Sequence, residues 1–301
     1  MFLSTENISF DKLESNFLSN NGVSITILRL DKIHNDVSGN KLFKLHYFVE
    51  NCLQTTHKTI LTFGGAYSNH LVATAFLCKE KSIKCIGIVR GEEPTVLSHT
   101  LIQCKELGMH LHFISRVEYK KIDEDNVIKA LQTTFGECMI VPEGGYDREG
   151  AKGASLIMDL LKDKKFSHVS TCVGTGTTLS GLLMNNENNA AIIAVPVIKN
   201  MIDIAERIEK LIGNSCSNNL SIFSDFHFGG YAKYNTELIT FMNTFYTEYA
   251  IPTDFVYTAK MMFAIFDKIK NGYFTKGSNI VCLHTGGLQG NASLPVGTLI
   301  F

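Results

Sequence analysis

The chain has 301 residues, with 28 basic side chains against 29 acidic ones, a net charge of −1, and 45% hydrophobic residues. That length exceeds one small core and suits one large domain or two interlocked ones. The balanced charge, with no basic run, argues against nucleic-acid or membrane-surface partners and leaves a small uncharged or zwitterionic ligand as the expectation.

Eight cysteines, at 52, 78, 85, 104, 138, 172, 216 and 282, form no C-x-x-C pair. Scattered through apolar stretches, they suit buried reduced thiols in a cytoplasmic protein rather than a disulfide frame, and no metal site is expected. The opening Met1-Phe2-Leu3-Ser4-Thr5-Glu6 lacks the basic and apolar regions of a signal peptide, and no later stretch approaches a membrane span, so a soluble protein is expected.

After a polar start, the alternating β-branched run Val23 to Leu30 reads as a strand leading to Val37-Ser38-Gly39-Asn40-Lys41-Leu42-Phe43-Lys44. A lysine held where strand gives way to helix, partly desolvated and near a second cation at Lys44, is expected to have a depressed pKa and to attack an aldehyde carbon. The competing reading of Lys41 is a solvated surface group. A helix follows from about Leu42 to Leu53. Next, Thr59 to Phe63 reads as a strand ending at Gly64-Gly65, and Ser68-Asn69 caps a helix bearing Leu71, Val72, Ala75, Phe76 and Cys78. The unit repeats with strands at 85–89 and 111–114 and helices through 101–107 and 127–135, implying a parallel sheet with helical crossovers. A fourth strand and turn at 139–145 leads into a helix at 150–161. Strands at 168–173, 190–195, 220–223 and 279–283, separated by helices at about 201–212, 236–248 and 258–270, form a second array. The expected fold is α/β, two doubly wound parallel-sheet domains sharing one cleft: 1–43 plus 154–301 as the large domain and 44–153 as a small inserted one.

Three stretches carry chemistry. Val173-Gly174-Thr175-Gly176-Thr177-Thr178-Leu179-Ser180-Gly181, where a buried strand turns into a helix, offers close-approaching backbone, free N–H groups and hydroxyl donors to a phosphate. A dinucleotide pyrophosphate and a plain glycine turn are the alternatives, although the third glycine of the dinucleotide fingerprint is missing. Gly64-Gly65-Ala66-Tyr67-Ser68-Asn69-His70 lacks the spacing of a hydrolase elbow. Ser68 either caps the helix or, with the free N–H groups, holds a substrate carboxylate while Asn69 bonds a cofactor's phenolic oxygen. Cys282-Leu283-His284-Thr285-Gly286-Gly287 ends a buried strand where a flat ring could rest, with His284 more ordinarily a core histidine. Tyr231 and Tyr257 sit in loops ahead of helices, as pocket walls or as packing.

In this order, Ser38-Gly39-Asn40-Lys41, Gly64 to His70, Gly174 to Thr178, Tyr231, Tyr257 and His284-Thr285-Gly286-Gly287 resemble the family of 1-aminocyclopropane-1-carboxylate deaminases and D-cysteine desulfhydrases. The resemblance spans nearly the whole chain and implies a fold of the tryptophan synthase β-subunit type, with pyridoxal 5'-phosphate between two α/β domains. It implies that Lys41 bonds the cofactor aldehyde, Asn69 lies near the ring oxygen, Gly174, Thr175, Gly176, Thr177 and Thr178 hold the phosphate, and Thr285 faces the pyridine nitrogen. Ser68 would bind the substrate carboxylate or assist proton transfer. Tyr231 and Tyr257 would line the substrate pocket, with Asn40 and Gly286 also on the substrate side. A small amino acid is the implied substrate and a homodimer the implied assembly. The family's deaminases have a tyrosine two residues before the histidine of the last motif, where this chain has Cys282. On that ground the resemblance favours β-elimination from D-cysteine or a related D-amino acid over opening of the cyclopropane acid. The reading from another class is a non-catalytic nucleotide- or phosphate-binding protein that uses only the 174–178 loop.

Overall fold

The computed structural model describes residues 4–34, 37, 39–213 and 219–301; Ser38 of the first motif and Cys216 lie outside them. The described residues form ten strands: β1 (Phe10–Leu13), β2 (Ser24–Arg29), β3 (Thr59–Gly64), β4 (Lys84–Arg90), β5 (His110–Ile114), β6 (Met139–Val141), β7 (His168–Val173), β8 (Ala191–Pro196), β9 (Leu220–Ile222) and β10 (Asn279–His284). The chain divides into two compact units, Met1–Asn40 with Ala154–Phe301, and Lys41–Gly153.

The small unit, Lys41–Gly153, is built on a parallel sheet in the order β5-β4-β3-β6. All six residues of β3 are buried, as expected of a central parallel strand covered on both faces. Ser68 caps the helix Asn69–Glu80, its hydroxyl accepting from the Leu71 N–H, and every residue from His70 to Cys78 is buried. Order reverses at β3, because the chain leaves it for β4 on one side while β6 joins on the other. The turn carrying Ser68 and Asn69 therefore sits at the switch point, beyond the carboxyl end of the central strand. The helices Asn40–Leu53 and Arg148–Asp159 meet at Gly153, where a Cβ would stand 2.1 Å from the Phe43 carbonyl oxygen.

The large unit carries six strands in the order β1-β2-β10-β7-β8-β9, parallel except for β1, which pairs antiparallel with β2. The polar start expected before Val23 holds this edge strand and a short helix, Asn16–Asn21, capped by Ser15. One core cluster packs Ile25, Ile27, Ile193, Val195, Met261, Ile265, Ile280 and Cys282 around the sheet. From β7 the chain moves outward to β8 and β9, whereas β10 returns on the other flank of β7. The switch point thus lies at the ends of β7 and β10, where the 174–178 loop and the Thr285-Gly286 turn begin.

The seven described cysteines are free thiols and six are buried, in keeping with reduced side chains. No helix among the described residues is long and apolar enough to cross a membrane.

Candidate active site

In the large unit, the helix Thr177–Met184 starts at Gly176, whose φ of 97° is the left-handed region that glycine enters without strain, and no side chain caps it. An uncapped first turn directs its N–H groups and the positive end of the helix dipole outward, as an anion requires. The hydroxyls of Thr175 and Thr177 lie 2.9 Å apart. Thr178, buried, accepts at 2.7 Å from the side-chain amide of Asn40.

Asn40 is held a second time by its own N–H, 3.3 Å from the Thr285 carbonyl oxygen. Gly39 before it, at φ 88°, lies so close to this turn that a Cβ would stand 2.0 Å from the same oxygen and 2.8 Å from the Gly286 nitrogen. Thr285 is itself buried, its hydroxyl 3.2 Å from the Cys172 sulfur. Asn40, Thr178, Thr285 and Gly286 therefore form one knot at the switch point.

The end of β10 is fixed from behind. Buried Arg29 binds Asp31 through Nε at 2.8 Å and Nη2 at 2.6 Å, and Asp11 through Nη1 at 2.8 Å. His284 lies with Nδ1 3.3 Å from Asp31 and Nε2 2.7 Å from the Pro252 carbonyl, so it is a satisfied core histidine, as one of its two sequence readings held. Nothing in strand periodicity announces this ion cluster. Its sole signal is an arginine ending an otherwise buried strand.

Tyr231 and Tyr257 come together although 26 residues apart: their hydroxyls are 3.4 Å apart and their rings meet edge to face. Tyr257 also packs on Gly174, where a Cβ would stand 3.3 Å from its ring. Burial first, and Tyr231 second, push the Tyr257 hydroxyl well above its ordinary pKa, so it remains a neutral donor. Cys282 lies wholly within the apolar core, its thiol pushed up by burial.

In the small unit, Lys41 falls in the first turn of the helix Asn40–Leu53, half-buried, rather than in a loop ahead of it. The earlier start follows from Gly39 and the two bonds that pin Asn40. Lys44 is buried, with Nζ 3.4 Å from the Gly144 carbonyl. Ser68 is the helix cap already described. The side-chain oxygen of Asn69 is buried without a partner.

Next to it, His70 is a residue whose tautomer the geometry fixes. The Thr62 hydroxyl donates to the Val141 carbonyl at 2.8 Å and so can only accept from His70, 2.8 Å away, which places the imidazole proton on Nε2. Nδ1 is left as a buried acceptor with no partner. Burial, with Lys44 and Lys41 adding to it, pushes His70 down to about 3, and the ring stays neutral.

Two features bear on whether pyridoxal phosphate suits these residues. In the large unit the uncapped, glycine-lined helix start would be completed by a phosphate, and in the small unit the buried amide oxygen of Asn69 is an acceptor left open to a donor from a bound group. The residues present fit the group. A parallel α/β protein with an anion-ready helix start and a half-buried lysine one residue past the knot belongs to the class that binds a phosphorylated cofactor.

The family follows from comparison. The chain belongs to the family of pyridoxal-phosphate dependent enzymes, whose model matches residues 12–286. It is an enzyme that uses pyridoxal phosphate, and the nucleotide-binding alternative is set aside. A Thermotoga maritima protein provisionally named as a 1-aminocyclopropane-1-carboxylate deaminase is 30% identical over 286 residues, 89% of this chain and 90% of that one. The mitochondrial bifunctional D-cysteine desulfhydrase/1-aminocyclopropane-1-carboxylate deaminase of Arabidopsis thaliana is 26% identical over 296 residues, covering 90% of this chain and 74% of its own. Among solved structures, an ACC deaminase homologue superposes with a TM-score of 0.80 over 96% of this chain and 92% of that one, at 23% identity, which shows a common fold.

Proposed function

We propose that the protein catalyses α,β-elimination on a small amino acid, D-cysteine or a related β-substituted D-amino acid, releasing pyruvate, ammonia and the leaving group. The observation that carries this reading is the Asn40–Thr178 bond. It anchors the residue before Lys41 on the loop whose uncapped helix start suits a phosphate.

Bound pyridoxal phosphate would supply the electron sink that acidifies the substrate α-carbon. Lys41 would hold the cofactor and take up the α-proton at Nζ, and residues 174–178 would hold the phosphate. Asn69 would offer its side-chain amide to the ring oxygen. Ser68 and the N–H groups of its helix hold the substrate carboxylate. Thr285 would present a neutral hydroxyl, rather than a carboxylate, to the ring nitrogen, which favours expulsion of a β-substituent over transamination. Tyr231 and Tyr257, with Asn40 and Gly286, line the substrate side.

A second reading, deamination of the aminocyclopropane acid, is favoured by one specific observation: two phenols 3.4 Å apart could furnish the group that attacks or protonates a ring carbon. The two readings separate when D-cysteine, β-chloro-D-alanine and the cyclopropane acid are offered to one cofactor-loaded preparation while pyruvate, ammonia and sulfide are followed. Elimination predicts sulfide and pyruvate from D-cysteine with little ammonia from the cyclopropane acid. The reverse pattern would replace the first reading by the second.

A further inference from the structure

Lys260 is fully buried, a rare place for an ammonium, since taking such a charge out of water is costly unless it is well bonded. Its Nζ donates to the His227 carbonyl at 2.8 Å and to the Gly230 carbonyl at 2.7 Å. Both carbonyls belong to the loop that delivers Tyr231. The loop holds an expensive shape: Phe228, Gly229, Gly230 and Ala232 all have positive φ, two of them without the freedom of glycine. Within it the Gly230 N–H bonds the His227 carbonyl and the Lys233 N–H bonds the Gly230 carbonyl, so the same two oxygens serve the turn and the lysine.

Lys260 stands on the helix Thr258–Lys270, three residues past Tyr257. Buried Asp254 fixes the start of that helix, accepting from the N–H groups of Val256, Tyr257 and Thr258 and from the Thr258 hydroxyl. Tyr257 is therefore set by the helix start, and Tyr231 by a loop fastened one turn further along the same helix. We propose that Lys260 is a positioning residue: its ammonium, seated on the His227 and Gly230 carbonyls, holds the Tyr231 loop so that the Tyr231 and Tyr257 hydroxyls meet. Burial lowers its pKa to about 8, against Asp254 acting the other way, so near neutral pH it keeps the charge that makes such bonds strong. The sequence signal was a lone lysine in the run Ala259 to Phe266, all other members apolar. The proposal rests on the substrate-side role given above to the two tyrosines, and its test keeps the two ideas apart.

The variants are Lys260→Met, which keeps the length of the stem without donors, and Lys260→Arg, which keeps a charged donor. Hydrogen exchange of the holoenzyme at neutral pH reads the loop directly. Residues 227–233 should exchange about tenfold faster or more in Lys260→Met while β7 and β10 keep wild-type protection, and Lys260→Arg should restore much of the difference. In the same preparations kcat/KM should fall roughly tenfold or more in Lys260→Met, as displaced site groups do, yet change little when Tyr231→Phe is already present. Unchanged exchange in the loop would overturn the proposal, and so would a rate loss that simply adds to that of Tyr231→Phe. Faster loop exchange with unchanged kinetics would leave the clamp standing and remove the tyrosine from the substrate site. Should Lys260→Met not fold, Lys260→Gln gives the same two readings, and failure of both to fold would assign Lys260 to general stability and end the proposal.

Discussion

Gly39 is the residue on which the knot closes. A methyl group there would stand 2.0 Å from the Thr285 carbonyl oxygen and would also have to adopt φ 88°. Gly39→Ala should therefore lower stability by at least about 2 kcal/mol or force the turn apart, with loss of cofactor retention. Urea unfolding and cofactor absorbance check it; a wild-type midpoint with full retention would mean that the turn has another way to close. His70 sets the acid limit. Its folded pKa of about 3 lies below the unfolded value of about 6.5, so beneath pH 6.5 only the unfolded chain takes the proton. Stability is then expected to decline as pH falls from 6.5 towards 3, by up to about 1.4 kcal/mol per pH unit. His46 and His168, also lowered by burial, add in the same direction. Comparing urea midpoints at pH 7 and pH 5 for the wild type and His70→Gln measures its share. An identical slope in both would place the acid sensitivity elsewhere.

At the level of the element, the role proposed for the helix Thr177–Met184 rests on its uncapped first turn. Gly176→Val should crowd the backbone donors and strain a position at φ 97°, weakening cofactor retention at least tenfold while the buried sheets keep their order. Equilibrium dialysis of the cofactor decides, and an unchanged affinity would move the phosphate site. Most strands and helices are legible because buried parallel strands and amphipathic helices write their period into long runs. β1 is not, because Phe10-Asp11-Lys12-Leu13 is four residues long and becomes a strand by pairing with β2. The helix Asn16–Asn21 is likewise too short to show a period. The start of the Lys41 helix two residues early, at Asn40, is set by contacts from residues 178 and 285, which no local window contains.

At the scale of the whole chain, the parallel topology converts distant motifs into neighbours. Loops that follow β7 and β10 are more than a hundred residues apart in sequence, yet the switch point between them brings Thr178 and Thr285 to the same asparagine. Their order along the chain is what made the motifs readable as a set. The bonds among them are not so written: neither the Cys172–Thr285 contact nor the seat of Lys260 leaves a pattern in spacing, because both are products of packing. Cys282, in the position where the family's deaminases have a tyrosine, packs in the apolar core of the large unit, a placement its motif does not announce.

Lys41 is proposed as the lysine that carries the cofactor. Borohydride reduction of the cofactor-loaded protein, followed by peptide mass mapping, tests it most directly, since reduction fixes the cofactor to the lysine that holds it. One added pyridoxyl phosphate per chain is expected, on Lys41, with the unreduced chromophore lost; Lys41→Ala should bind the cofactor but show no fixed label. A label on Lys44, three residues along the same helix, or a chain that takes no label at all, would contradict it.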